Sequence, residues 1–132
     1  MKQLGGPELP GIGFAMGITR LILAMKESGF ELDNNDKPDI YIAPMGENAS
    51  YTAASICEKL RRMGARADTD LCGRSLKAQM KYADKTGARY TLIIGDSEIE
   101  SGSAQLKCMG DSTQREVSLA DTDALYGIIC GK

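Results

Sequence analysis

The chain contains no histidine, and that absence removes more chemistry than any other feature of its composition. Without an imidazole there is no Ser-His-Asp or Cys-His nucleophile pair and no histidine general base. A zinc site would have to be assembled from four scattered thiolates or carboxylates. The four cysteines, Cys57, Cys72, Cys108 and Cys130, include no CxxC and no other ligand spacing. They read as inert or structural thiols, and no metal is expected. Carboxylates are present, but no pair stands out as an acid and a base, so catalysis by these residues alone is not expected. Long apolar runs are missing too. The longest falls far short of the roughly 20 residues of a membrane-spanning helix, so no membrane partner is expected. Met1, Lys2 and Gln3 lead into glycine and proline rather than an apolar stretch. No secretory signal is therefore expected, and the expected location is the cytoplasm.

What remains is 132 residues with 16 basic and 18 acidic side chains, a net charge of −2. That length suits one domain or slightly more. The small net charge hides a division. Between Cys57 and Arg89 stand nine basic residues against four acidic ones, a local +5, which leaves −7 on the rest. A basic patch on an acidic body fits an anionic partner. From charge alone it fits ordinary solvated helix faces equally well.

Two parts are expected along the chain, separated by a polar linker at 28–38 that contains Asn34, Asn35 and Asp36 and ends at Pro38. Before it, GIGFAMG is a short apolar segment, and Ile18, Leu21, Ile22 and Met25 follow at helical spacing: a strand–helix stub. After it the pattern alternates. DIYIAPM (39–45) is apolar on both faces, as a central parallel strand requires. Residues 47–63 carry Ala49, Ala53, Ile56, Cys57, Leu60 and Met63 on one helical side, with Gly64 as the stop. ARADTDL (65–71) alternates as a second strand. Ser75 is placed to cap a helix running to Thr86, with Leu76, Met80 and Ala83 inward and Gly87 at its end. RYTLIIG (89–95) is the third strand. GDSEIESG reads as a turn-rich connection, SAQLKCM and REVSL as two strands joined by GDSTQ, and Leu125, Ile128 and Ile129 mark a final helix. The expected fold class is α/β: a three-layer, mixed five-stranded sheet with about three helices.

Three features bear on function. Gly11, Gly13 and Gly17 give GxGxxxG, which is neither a dinucleotide fingerprint nor a P-loop and suits glycine packing better. Arg20 lies on an otherwise apolar helix and wants a carboxylate partner or an anionic ligand. Lys77, Lys81 and Lys85 share one helix face, with Arg74 a turn ahead. The helix start at Gly73, Arg74 and Ser75 adds backbone N–H groups suited to phosphate. In parallel sheets ligands favour the loops after the strands, here Pro44–Asn48, Leu71–Ser75 and Gly95–Ser97.

YIAPMGENA and LRRMGARADTDLCGRSLKAQMKYADKTGARYTLIIGDSEIESG resemble the anticodon-binding domain of the histidyl-tRNA synthetases, class II aminoacyl-tRNA synthetases. LGGPELPGIGFAMGITRLIL resembles the end of that family's catalytic domain, with motif 3. The resemblance covers nearly the whole chain. It implies three segments: 1–27 as the catalytic-domain end, 28–38 as linker and 39–132 as anticodon-binding domain. It implies the class IIa anticodon-binding fold and recognition of the tRNA(His) anticodon stem–loop. The implied anticodon-binding residues are Met45, Gly46 and Glu47 after the first strand, with Gly73, Arg74, Ser75, Lys77 and Lys81. Arg20 matches the arginine of GFAxGxxR, which contacts the ATP phosphates in a complete enzyme. That parent reaction is ATP- and Mg²⁺-dependent attachment of histidine to tRNA(His). Class motifs 1 and 2 and the histidine-binding segments have no counterpart here, so the chain reads as a C-terminal piece without its own cofactor or aminoacylation activity. The parent family is homodimeric, and the apolar residues 12–25 are expected to offer a surface for self-association. A synthetase-like regulatory or accessory module, binding another RNA or protein, is the alternative. A small flavodoxin-like enzyme is a third reading.

Overall fold

The computed structural model describes residues 5–6, 13–30 and 37–131. The chain divides into two compact units between Asn34 and Asn35. In the first unit, helix α1 (Ile18–Glu27) has no buried residue. Phe14 is 94% exposed and Ile18 66%. Residues 13–17 are not a strand, and Gly11 and Ile12 of the expected strand lie outside the described residues.

The second unit is built on one sheet. Its elements run β1 (Ile40–Pro44), α2 (Glu47–Arg62), β2 (Ala67–Thr69), α3 (Leu76–Thr86), β3 (Tyr90–Ile94), α4 (Asp96–Ser101), β4 (Ser103–Cys108), β5 (Gln114–Ser118) and α5 (Thr122–Cys130). The strand order is β2-β1-β3-β4-β5. β1 pairs in parallel with β2 and β3, whereas β4 and β5 are antiparallel. The mixed five-stranded α/β fold is therefore present, with the three expected helices α2, α3 and α5. The segment read as a turn-rich connection forms a short further helix, α4.

β1 is buried at every position because it has helices on both sides. Ile40 and Ile42 point into the larger core with Ala53, Ile56 and Leu60 of α2, and with Leu125 and Ile129 of α5. Tyr41 and Ala43 point the other way, against Ala83 and the half-buried Leu76 and Tyr82 of α3. The chain crosses from β1 to β2 through α2, then reverses past β1 to β3 through α3. Right-handed crossovers in opposite directions set their helices on opposite faces.

The ends of the parallel strands are held differently. At the start of β1, Asp39 accepts from the Arg66 backbone N–H at 2.9 Å and pairs with its guanidinium at 3.2 Å. At the far end, β2 stops at Thr69, short of the expected Leu71. Asp70 leaves the sheet there to bind Arg74, and the loops that follow β1 and β2 face each other across a cleft.

Candidate functional site

The cleft has a volume of about 490 Å³ and lies at the carboxyl ends of β1 and β2. One wall is the turn from β1 into α2. Gly46 there has φ +108° and ψ 168°, a conformation essentially confined to glycine. The other wall is the loop from β2 into α3, where Gly73 turns at φ +65°. Met45, Gly46, Glu47, Gly73, Arg74 and Ser75, six of the expected anticodon-binding residues, all line this one cleft.

Both walls end in a helix N-terminus without a side-chain cap. Gly46 has no side chain to offer α2, and Ser75 makes no capping hydrogen bond to α3. The expected Ser75 cap is thus corrected: Ser75 marks the start of the helix, but its exposed hydroxyl leaves the first-turn N–H groups unserved. Two helix starts with open donors border one space.

Arg74 is held from below. Its backbone N–H donates to Asp70 Oδ2 at 2.7 Å, and its Nε donates to Asp70 Oδ1. Its guanidinium lies 4.5 Å from the Tyr82 ring centroid, a cation–π contact. Tyr82 in turn packs on Tyr41, with centroids 5.7 Å apart and planes inclined at 55°. Asp70 is only 4% exposed. Burial pushes its carboxyl up, but the hydrogen bonds and charge of Arg74 outweigh this and hold it below its ordinary value. The hydrogen bond that Arg74 donates to Asp70 likewise raises the arginine's own pKa. The pair stays ionised, and the arginine is fixed in place with one edge toward the cleft.

Lys77 and Lys81 do not line the cleft. With Lys85 they stand exposed along α3, and none of the three has an ion-pair partner among the described residues. The expected residues therefore form two surfaces: a concave one with mixed donors and acceptors, and a flanking cationic stripe. Such a division suits separate contacts to bases and to phosphates. Arg20 is exposed on α1 of the first unit.

One residue at the cleft escaped the sequence reading. Gln79, on the inward face of α3, is 1% exposed. Its Nε2 donates to the carbonyl oxygens of Pro44 at 2.9 Å and Arg74 at 2.7 Å. Its four-residue spacing from the buried Ala83 was the available signal. Among the described residues no group of three or more His, Cys, Asp or Glu can hold a metal ion. All four cysteines are free, and no described helix is long and apolar enough to cross a membrane.

Comparison with known proteins gives this geometry its context. A histidine–tRNA ligase of Acetivibrio thermocellus is 51% identical over 119 residues, which is 90% of this chain and 28% of the relative. One of Alkaliphilus oremlandii is 45% identical over 132 residues, covering 100% of this chain and 31% of the relative. The chain thus spans less than a third of the length of these relatives. The crystal structure of apo histidyl-tRNA synthetase from S. aureus superposes with a TM-score of 0.66 at 38% identity, over 85% of this chain and 28% of that one. The family described as the anticodon binding domain matches residues 39–125, nearly the whole of the sheet-bearing unit. By that match, the chain belongs to the anticodon-binding domain family.

Proposed function

We propose that the chain is the anticodon-reading part of a histidine–tRNA ligase, and that its cleft takes an exposed base of the tRNA(His) anticodon loop. The observation that carries this reading is the convergence of two loops from separate crossovers on one space. Each brings an open helix N-terminus, with the Arg74–Asp70 pair between them and the unpaired lysines of α3 alongside. Donors and acceptors in a concave site match a base edge, and the stripe matches the phosphates that lead to it. Met45, Gly46, Glu47, Gly73, Arg74 and Ser75 act at the base, and Lys77 and Lys81 at the backbone.

The parent reaction, ATP-dependent attachment of histidine to tRNA(His) in the cytoplasm, belongs to the longer protein. Residues 1–27, 28–38 and 39–132 serve in this reading as the end of its catalytic domain, a linker and the anticodon-binding domain. The division between Asn34 and Asn35 supports that partition. Arg20 would meet an ATP phosphate, but the described residues do not by themselves fit ATP with Mg²⁺. A single exposed arginine and no carboxylate cluster cannot hold it. The exposed Phe14, Met16, Ile18 and Leu23 support burial against further protein, including a second copy as in a homodimer.

The test is a titration of the chain against a tRNA(His) anticodon stem–loop and a base-substituted control at two salt concentrations. Tighter binding of the cognate loop, lost on Arg74→Ala, is the expected result. Equal binding of both loops would reduce the surface to electrostatic positioning, and no binding would remove the reading.

A further inference from the structure

The two walls of the cleft come from segments far apart in sequence, and one buried amide ties them together. Pro44 closes β1 and Arg74 precedes α3. Their carbonyl oxygens, 30 residues apart, both accept from the single Nε2 of Gln79. Long helical side chains lean back toward the helix N-terminus. From the first turns of α3, Gln79 is thereby carried into the gap between the loops. Because both partners are carbonyls, which only accept, the NH₂ must face them and Oε1 must face away. Oε1 is buried and has no partner among the described residues.

A residue chosen for stability alone would not leave an acceptor stranded, since a methionine or leucine fills similar space without that penalty. What Gln79 supplies is a fixed separation. Among the described residues no other hydrogen bond joins the two walls across the cleft. Asp70 sets the path of one loop but does not reach the other, so the distance between them rests on this amide. We propose that Gln79 is a positioning residue that sets the spacing of the two cleft walls, and through it the choice of base. The inference rests on the reading of the cleft as a base site. Gln79 has no place at the RNA surface: it acts through Pro44 and Arg74.

The test uses the full chain with Gln79→Met, which keeps volume and removes both hydrogen bonds, and Gln79→Glu, which keeps shape. The cognate stem–loop and its base-substituted control are titrated, and amide hydrogen exchange is followed at Met45–Glu47 and Arg74–Leu76. The expected result for Gln79→Met is about a tenfold loss of cognate preference with the salt slope unchanged. Exchange should become faster in both loops together. In Gln79→Glu a carboxylate faces two carbonyl oxygens at neutral pH. Preference should return in part as the pH falls and the acid protonates, a profile the wild type lacks. If Gln79→Met does not fold, that pH-dependent recovery decides the matter. Preference kept within twofold by the folded variants overturns the inference. Failure of the wild type to discriminate overturns instead the base-site reading. In that case joint loosening of the two loops still supports the clamp, and unchanged exchange overturns it.

Discussion

Asp70 grips Arg74 twice, once at the backbone N–H and once at the guanidinium. The same carboxylate therefore sets both the path of the loop and the direction of its charge. Asp70→Asn keeps the shape but weakens both bonds. The expected outcome is a melting temperature several degrees lower and weaker RNA binding, because the guanidinium is no longer held over Tyr82. The pH dependence has a definite sign. The folded-state carboxyl lies below its ordinary value of 3.8, so the pair's stabilisation is fully present above that value. It is lost as pH falls through the folded value. The pair should therefore contribute in full, and add no pH dependence to the melting temperature, between about pH 5 and 8. Only the wild type should lose this contribution below about pH 4.

Tyr41 gives the opposite expectation. It is 0% exposed, and its hydroxyl has no hydrogen-bond partner among the described residues. A buried hydroxyl without a partner costs stability, about 1–3 kcal/mol on mutational scales. The ring packing on Tyr82 survives in phenylalanine. Tyr41→Phe is expected to leave stability unchanged or raise it by about 1 kcal/mol, read by urea or thermal melting. A loss of comparable size would mean that the hydroxyl has a partner in solution. Burial pushes the Tyr41 pKa up to about 12 from 10.0. The stability linked to this proton is complete below pH 10.0 and is lost as pH rises toward about 12. The phenylalanine variant should lack that alkaline loss.

How much of this could be read in advance depended on whether a residue's role was set by its neighbours in sequence. β1 was legible because burial on both faces demands an unbroken apolar run, and Ile40–Ala43 is one. The α3 stripe was legible because Lys77, Lys81 and Lys85 share a face by spacing alone. The start of α4 was not. Gly95, Asp96 and Ser97 are turn formers, and the helix depends on Glu98 reaching back to accept the Gly95 N–H at 2.8 Å. β2 is shorter than its alternating pattern predicts, Ala67–Thr69 rather than 65–71, since nothing local says that Asp70 turns away to hold Arg74. Gln79 is a polar residue on an otherwise apolar face, and nothing near it in sequence marks its role. Its partner Pro44 lies 35 residues away, and only the return of the chain across the sheet brings the two together.

Gly46 is the point at which the cleft is most exposed to a single methyl group. A Cβ there would meet only Asp96 Oδ1, at 3.8 Å, so crowding is not the obstacle. The obstacle is the backbone, at φ +108° and ψ 168°. L-residues avoid that region at a cost of about 1–3 kcal/mol. Gly46→Ala should lose about that much stability in denaturant melts. If the turn relaxes instead, the α2 N-terminus moves out of the cleft and cognate preference falls while stability recovers. A variant unchanged in both would show that the wall does not need this conformation.

The lysine stripe and the cleft make separable predictions. Lys77, Lys81 and Lys85 are exposed and unpaired among the described residues, so each is free to neutralise a phosphate. Binding through such contacts weakens with salt because condensed counterions are released. Removing one contact should flatten the slope of log K against log salt by about 0.7–0.9. Lys77→Ala and Lys81→Ala should each weaken the cognate and base-substituted loops by the same factor, leaving their ratio intact. Arg74→Ala should do the reverse: a small change in slope, because Asp70 already offsets its charge, and a large change in the ratio. Titrating both loops at several salt concentrations separates the two patterns. If a lysine variant altered the ratio and left the slope untouched, the division between a reading cleft and a steering stripe would fail.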